Sequence, residues 1–455
     1  MLSRITIGVY TFVCIYLIFN TQRYKDNIYQ WDVSGYYIYL PAIFIHHDVG
    51  RMDVYKATNE KYRLSGTVSD YGFFEQPTGK RTNKYTLGCA VLQLPFFLIA
   101  HAYCHLSAAY TPDGYTYPYQ FAGIFSGILW TAIGLLFLRG FLRQYFPDIT
   151  VAITLLCIAL GTNIYCYTTY SPGMSHPYSF FLSAAILYYT HKLYSNTHQR
   201  HFFMIGILLG MVIIIRPVNI IIAVLPLFWA VHNISSLRQR LHFFSQNLAP
   251  IAISFLLYFA VASLQMAYWY HTTGHFIHYS YTGEGFNFLQ PHIGKGLWGF
   301  RKGWFIYTPI AFIALCGLYF LWKQNKKTAP AIIVYLAVMI YVVFSWQCWW
   351  YGGGFSARAL IETLPIVAFP LAHLCHQVYT TPTYLLTKVS FSILLVFCVT
   401  LNLFQTYQHS FNTIHCDRMT RTYYFRTFGK IMATDEDLKY LMTDKQFKDE
   451  YNFKK

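Results

Sequence analysis

The stretch TLGCAVLQLPFFLIAHAYCHLSAA (residues 86–109) decides how the chain is threaded through a bilayer. It is long enough and apolar enough to cross, yet it carries Gln93, Pro95, His101 and His105. Whether it spans or not reverses the side of every loop that follows. Short loops on the cytoplasmic side collect Lys and Arg, so basic residues can arbitrate. With the N-terminus inside and 86–109 not spanning, four loops fall on the cytoplasmic side. They hold Arg139 and Arg143, Lys192 and Arg200, Arg238 and Arg240, and Lys323, Lys326 and Lys327. If the stretch spans, all of them move outward. The expectation is therefore an interfacial or re-entrant segment lying partly in the outer leaflet.

Working outward, apolar runs recur at about 5–20, 118–138, 150–168, 176–191, 203–215, 218–231, 250–270, 304–322, 331–346, 358–377 and 387–405. Runs of this length are read as membrane helices. Of the 455 residues, 55% are hydrophobic and 11% charged, where soluble domains average about 25% charged. The fold class expected is all-α: a polytopic helical membrane protein with about 11 transmembrane helices plus interfacial or re-entrant ones. Residues 1–405 form the transmembrane domain with outer loops 21–85 and 271–303. Residues 406–455 form an extracytoplasmic mixed-charge tail of short helices. The opening MLSRITIGVYTFVCIYLIFN is similar to a signal peptide but has no clear small-x-small cleavage site, so it reads as an uncleaved first helix. Tyr is abundant, at 41 residues, which suits bilayer interfaces and wet cavity walls. The net charge of +16 fits anionic lipid or phosphate partners. No basic stripe lies on a soluble domain, so nucleic acid is not expected. The ten Cys show no ligand spacing. Neither a metal site, nor a cofactor, nor a disulfide framework is expected.

The large loops lie outside, and the chemistry is expected there. Asp32 in QWDVSGYYIYLPA (30–42) opens a tyrosine-rich stretch interrupted by Pro41, read as a helix lying along the membrane surface. A carboxylate at headgroup level can accept a proton from an attacking hydroxyl. Its plainer role would be to cap that helix. Lys84, near Arg81, stands where the first loop re-enters the membrane. It suits a phosphate leaving group, or simply snorkels. Arg216-Pro217 breaks a continuous apolar run, and an intramembrane Arg is a functional candidate, although a hairpin tip at the headgroups explains it too. Arg301, with Lys302 beside it, ends the second outer loop. Arg358 follows the Gly352-Gly353-Gly354 run, whose backbone could approach a phosphate closely. Charged anchors flanking spans are the plain reading of these residues, with an Arg358–Glu362 pair at i+4. Glu284, Glu75 and His176 could touch an acceptor or a sugar. Solvated loop carboxylates and a satisfied structural His are their plainer roles.

In order along the chain, a short first helix, an outer loop opening on Asp32 and a YYxYLPA-like helix, TNKYTLGCAVLQLPFFL (82–98), YSPGMSHPYSFFL (170–182), IIIRPVNIIIAVLPL (213–227), GFRKGWFIYTPI (299–310) and WWYGGGFSARALIETLPI (349–366) cover most of the hydrophobic chain. This ordered set resembles the GT-C class of membrane glycosyltransferases, in particular the protein O-mannosyltransferases and lipid A aminoarabinose transferases. The resemblance implies a GT-C-like fold and a polyprenyl-phosphate-linked sugar donor. It implies Asp32 as general base and Lys84 as phosphate ligand; Arg358, Arg301 and Arg216 are further donor-phosphate candidates on the residue grounds given above. The departures are specific. Val33 follows Asp32 where the O-mannosyltransferases have Glu. Their Lys-Pro-Pro-Leu is Lys84-Tyr85-Thr86-Leu87, and WWYGG is not the Trp-Trp-Asp of oligosaccharyltransferases. The function expected is inverting transfer of a sugar to an acceptor hydroxyl on a glycan, lipid or protein. The setting expected is the extracytoplasmic face of a bacterial inner membrane, with membrane lipids as partners and the protein as a monomer. The alternative is a transporter or flippase of lipid-linked sugars. It would predict matching interrupted helices in two halves, and only one such break, at Arg216-Pro217, is evident.

Overall fold

The apolar runs fold as helices because long Leu, Ile, Phe and Ala stretches satisfy their own backbone, which lipid cannot do for them. The computed structural model describes residues 1–66, 70–382 and 384–451. The helices that frame the site are α1 (Leu2–Asn20), α2 (Asp32–Tyr37), α3 (Tyr39–Phe44), α4 (Gly88–Leu106), α5 (Tyr117–Leu142), α6 (Asp148–Gly161), α7 (Ser175–Ser195), α8 (Gln199–Ile215), α9 (Leu248–Thr273), α10 (Ala329–Ser345), α11 (Leu364–Thr380) and α12 (Leu385–Ser410). Among the described residues the one sheet is a two-stranded hairpin, β1 (Phe73–Glu75) and β2 (Arg81–Asn83). Among the described residues six helical segments are long and apolar enough to cross a membrane: α1, α4, α5, α9, Arg358–Thr380 and α12. The chain is an all-helical integral membrane protein.

The core sits around α7, whose residues 175–187 are all buried. It packs against α5, α8, α11 and the 3-10 turn Arg358–Thr363. α9 is largely lipid-facing but docks on α8 through Gly206 and Gly210. A Cβ at Gly206 would lie 2.2 Å from the Ser254 carbonyl oxygen. Small residues four apart let two membrane helices approach this closely.

Several expectations are corrected. The stretch 86–109 is not re-entrant. Residues 88–106 form one uninterrupted helix despite Pro95, lying along α5. Near the proline, Trp130 Nε1 donates to the Leu92 carbonyl (3.0 Å), the kind of side-chain support that lets membrane helices tolerate proline. The run 150–168 is two helices, α6 and Ile164–Thr169, parted at Thr162. The run 218–231 is a 3-10 turn, Pro217–Ala223, followed by the five-residue Val224–Phe228, because Pro217 and Pro226 deny backbone donors. The run 304–322 is three short helices, with Pro309 opening the second. Most consequential, residues 33–42 are buried within the protein and not laid on its surface. Their aromatic side chains cover every face, leaving no polar face for water.

Candidate active site

The hairpin organises the site. Its register pairs Phe73 with Asn83 and Glu75 with Arg81. The ladder continues one step, with Lys84 N–H donating to the Gly72 carbonyl (2.7 Å). One residue further, Tyr71 and Tyr85 face one another, their hydroxyls 3.3 Å apart. Successive side chains in an extended segment point to opposite faces. Tyr85 therefore turns toward α2 while Lys84 turns away from it. Asn83 ties the hairpin end to α2, its Nδ2 donating to the Gly35 carbonyl (2.7 Å), and its N–H receives support from Tyr268 Oη (2.8 Å).

Asp32 is the first residue of α2. The residue before it, Trp31, has φ 52°, and no side chain caps the helix, so capping does not occupy the carboxylate. The bond lost to the left-handed backbone of Trp31 is recovered by Trp31 N–H donating to the Leu64 carbonyl (2.7 Å). Asp32 Oδ1 accepts from Tyr85 Oη (2.5 Å) and Tyr71 Oη (2.7 Å). Asp32 Oδ2 accepts from an Arg358 guanidinium N–H (2.8 Å) across 326 positions of sequence. Tyr85 can reach only because residue 35 is Gly: a Cβ there would lie 2.1 Å from the ring. Burial by itself would raise the Asp32 carboxyl. Arg358 and then the two phenols outweigh it and hold the group down at about 2. The Tyr71 hydroxyl is pushed up by burial and by the Asp32 charge, so it remains a neutral donor.

Arg358 opens a 3-10 turn, Arg358–Thr363. With three residues per turn, i and i+4 do not stack. The expected Arg358–Glu362 pair therefore does not form. Glu362 turns into the core and pairs with Arg216 (2.7 Å), while His176 Nδ1–H donates to the same oxygen (3.2 Å). Lys84 pairs with Glu284 (2.6 Å), its ammonium lying 4.8 Å from the Tyr281 ring centre. Tyr281 and Tyr36 stand within electrostatic reach of both Asp32 and Arg216, and Tyr281 also of Glu284 and Arg358. Asp32–Arg358, Lys84–Glu284 and Arg216–Glu362 are thus three ion pairs, each with a charge felt at the Tyr36 or Tyr281 hydroxyl. Each of these cations already has a carboxylate partner.

Three expected residues have other partners. Arg301 is buried, stacks on Trp350 (3.6 Å), donates to the Asp417 carbonyl (2.7 Å) and pairs with Glu450. The tail therefore holds it, and its polar contacts are not with Asp32 or Arg358. Lys302 donates to the Gly354 carbonyl, and burial pushes its ammonium down to about 8. The Gly353 N–H donates to the Asp417 carboxylate (3.0 Å), so the triple-glycine loop receives an anion from the chain's own tail. Glu75 is solvated, 3.7 Å from Arg81 across the hairpin. His176 is a satisfied core histidine. Sequence reasoning missed Tyr71, Tyr85, Tyr281, Asp417 and Glu450. Among 41 tyrosines only the hairpin register marks out the first two. Among the described residues no three His, Cys, Asp or Glu converge to hold a metal ion.

No family model matches the chain, and no curated protein matches it. Among solved structures it is similar to the archaeal oligosaccharyltransferase AglB from Archaeoglobus fulgidus in complex with an inhibitory peptide and a dolichol-phosphate. That match has 11% identity and a TM-score of 0.48, covering 97% of this chain and 59% of that one. The apo form of the Archaeoglobus fulgidus oligosaccharyltransferase gives the same values. The form tethered to an acceptor peptide matches with a TM-score of 0.43 at 11% identity, over 97% of this chain and 58% of that one. The chain spans about three-fifths of the length of the structures it matches.

Proposed function

We propose that this chain is an inverting glycosyltransferase of the GT-C class. It moves a sugar from a polyprenyl-phosphate donor to an acceptor hydroxyl at the extracytoplasmic face of a bacterial inner membrane. The acceptor hydroxyl oxygen attacks the anomeric carbon, and the bond from that carbon to the phosphate oxygen breaks. The polyprenyl phosphate leaves with the electron pair, and the hydroxyl proton passes to the Asp32 carboxylate. The observation that carries this reading is the meeting of Asp32 with Arg358, at 2.8 Å, across most of the chain. A carboxylate can do general-base work, and a guanidinium fork or an ammonium suits a departing phosphate.

The pairing has a mechanistic consequence. A carboxylate at about 2 is a weak base. A donor phosphate that draws Arg358 to itself removes the largest influence lowering Asp32, so the base strengthens as the donor seats. Lys84 undergoes the same exchange, leaving Glu284 for the phosphate. Arg216 stays with Glu362 and contributes positive potential from behind the Tyr36 and Tyr281 rings.

The test is transfer by purified protein from a panel of polyprenyl-phosphate sugars, with Asp32→Asn beside the wild type. Transfer by the wild type and its loss in the variant are expected. Transfer that survives in Asp32→Asn removes Asp32 from catalysis.

A further inference from the structure

We infer that Tyr71 and Tyr85 are positioning residues that saturate Oδ1 of Asp32 and leave Oδ2 alone to receive the acceptor's proton. The inference rests on the glycosyltransferase reading for its reaction, and on geometry for everything else. Each carboxylate oxygen has two acceptor sites. Oδ1 spends both on the two phenols, at 2.5 and 2.7 Å. Oδ2 spends one on Arg358, so among the described residues its second site is the one left on the group. An incoming hydroxyl is thereby confined to one oxygen and one side.

The phenols are themselves held. The Tyr85 ring is wedged against Gly35, its N–H donates to Asn83 Oδ1 (3.0 Å) and its carbonyl accepts from Tyr39 Oη (2.5 Å). The Tyr71 ring meets Trp31 edge-on at 5.3 Å. Both rings come from the two arms of the hairpin, so a single register sets both hydrogen bonds. Side chains locked in this way keep a reacting group within the narrow tolerance that proton transfer requires. The charged and titratable groups facing Asp32 are Arg358 from the 3-10 turn, Tyr71 and Tyr85 from the hairpin arms, Tyr36 from its own helix, Tyr281 from loop 271–303 and Tyr167 from helix Ile164–Thr169. Tyr71 and Tyr85 are the phenols that bond to the carboxylate directly.

The experiment uses the full-length protein with Tyr71→Phe and Tyr85→Phe. Infrared difference titration of the Asp32 carboxylate, assigned with Asp32→Asn, needs no substrate. Removing a hydrogen bond from the charged form raises its midpoint, and a shift of about one pH unit is expected in each variant. Midpoints equal to wild type in both variants overturn the inference. In the transfer assay each variant should lose roughly tenfold in kcat with the donor KM unchanged, and the acid limb of kcat/KM should move to higher pH. A carboxylate that titrates higher while kcat is untouched overturns the assignment of the proton to a positioned oxygen. If wild type transfers from no lipid-linked sugar while both titrations shift, the glycosyltransferase reading fails and the saturation of Oδ1 is supported. Tyr71→Phe removes one hydroxyl from a half-exposed ring, so it keeps the test alive should Tyr85→Phe fail to fold.

Discussion

Two arginine–carboxylate pairs lie close together in this molecule and differ in one respect that matters. Asp32–Arg358 and Glu362–Arg216 are equally short, 2.8 and 2.7 Å, and each joins distant parts of the chain. Glu362 is 1% exposed and shares its oxygen with a buried histidine. Asp32 is 19% exposed and accepts from two tyrosines. A sealed ion pair is costly to break, because the abandoned charge keeps its desolvation cost. A half-open pair can trade one partner for an incoming anion and let the other take a proton. Similar chemistry thus gives one sealed pair and one open to exchange, and exposure is what distinguishes them most.

The comparison breaks most sharply at the carboxylates. Asp32→Asn keeps the shape and removes the base. Transfer should fall by about 10²- to 10⁴-fold, with a smaller drop in the unfolding midpoint than the sealed pair shows, because the stranded Arg358 keeps some access to water. Glu362→Ala should do the reverse. It strands Arg216, costing about 3–5 kcal/mol of stability, read as a lower thermal midpoint in detergent. If instead Glu362→Ala unfolds no earlier than wild type, the sealed pair is no clamp and the contrast collapses.

The next effects come from exchange at the open pairs. Lys84→Ala should raise the donor KM roughly tenfold, the scale of one charge-assisted contact. Glu284→Gln removes the carboxylate that competes for Lys84, so polyprenyl phosphate should bind more tightly, the opposite sign. Weaker binding in Glu284→Gln would show that Glu284 is a ligand rather than a competitor. The pH profile tests Arg358 in the same way. Asp32 is depressed to about 2 in the free protein, so its contribution to stability is complete above the ordinary carboxylate range and is lost as pH falls through that value. The acid limb of kcat/KM, which reports the free enzyme, should therefore lie below the acid limb of kcat, which reports the donor-bound form with Arg358 engaged. Coincident limbs would mean that Arg358 never leaves Asp32.

Much of this was legible before the fold was known, and the failures have physical reasons. Asp32, Lys84, Arg358, Arg216 and Glu284 stand out in the sequence because charges beside apolar runs are rare and expensive. Their partners were not legible. The i+4 rule pairs Arg358 with Glu362 only on an α-helix, and the chain runs as a 3-10 turn there. The tyrosine-rich 33–42 reads as interfacial from composition, yet the aromatic rings pack on all sides and bury it. Tyr71 and Tyr85 carry no sequence mark, since their role comes from a three-residue strand register. The partners of Arg301, Asp417 and Glu450, are not legible because they lie over a hundred residues downstream in the tail. Proline cuts the runs 218–231 and 304–322 into shorter helices than their composition suggests.

The smallest effect is the sharpest control on the carboxylate reading. Glu75 and Glu284 are both loop glutamates among aromatics and glycines, and the sequence treats them alike. Glu284 is half-buried against Lys84 at 2.6 Å. Glu75 is 84% exposed and 3.7 Å from Arg81, which Asp70 already holds at 3.1 Å. Exposed pairs contribute about 0–1 kcal/mol because water screens them and long side chains lose entropy in making them. Glu75→Gln should therefore leave both the thermal midpoint and the donor KM within measurement error of wild type. If it tightens polyprenyl phosphate binding as Glu284→Gln is expected to do, the effect belongs to the net charge of the loops, and the Lys84–Glu284 contact is not what the donor displaces.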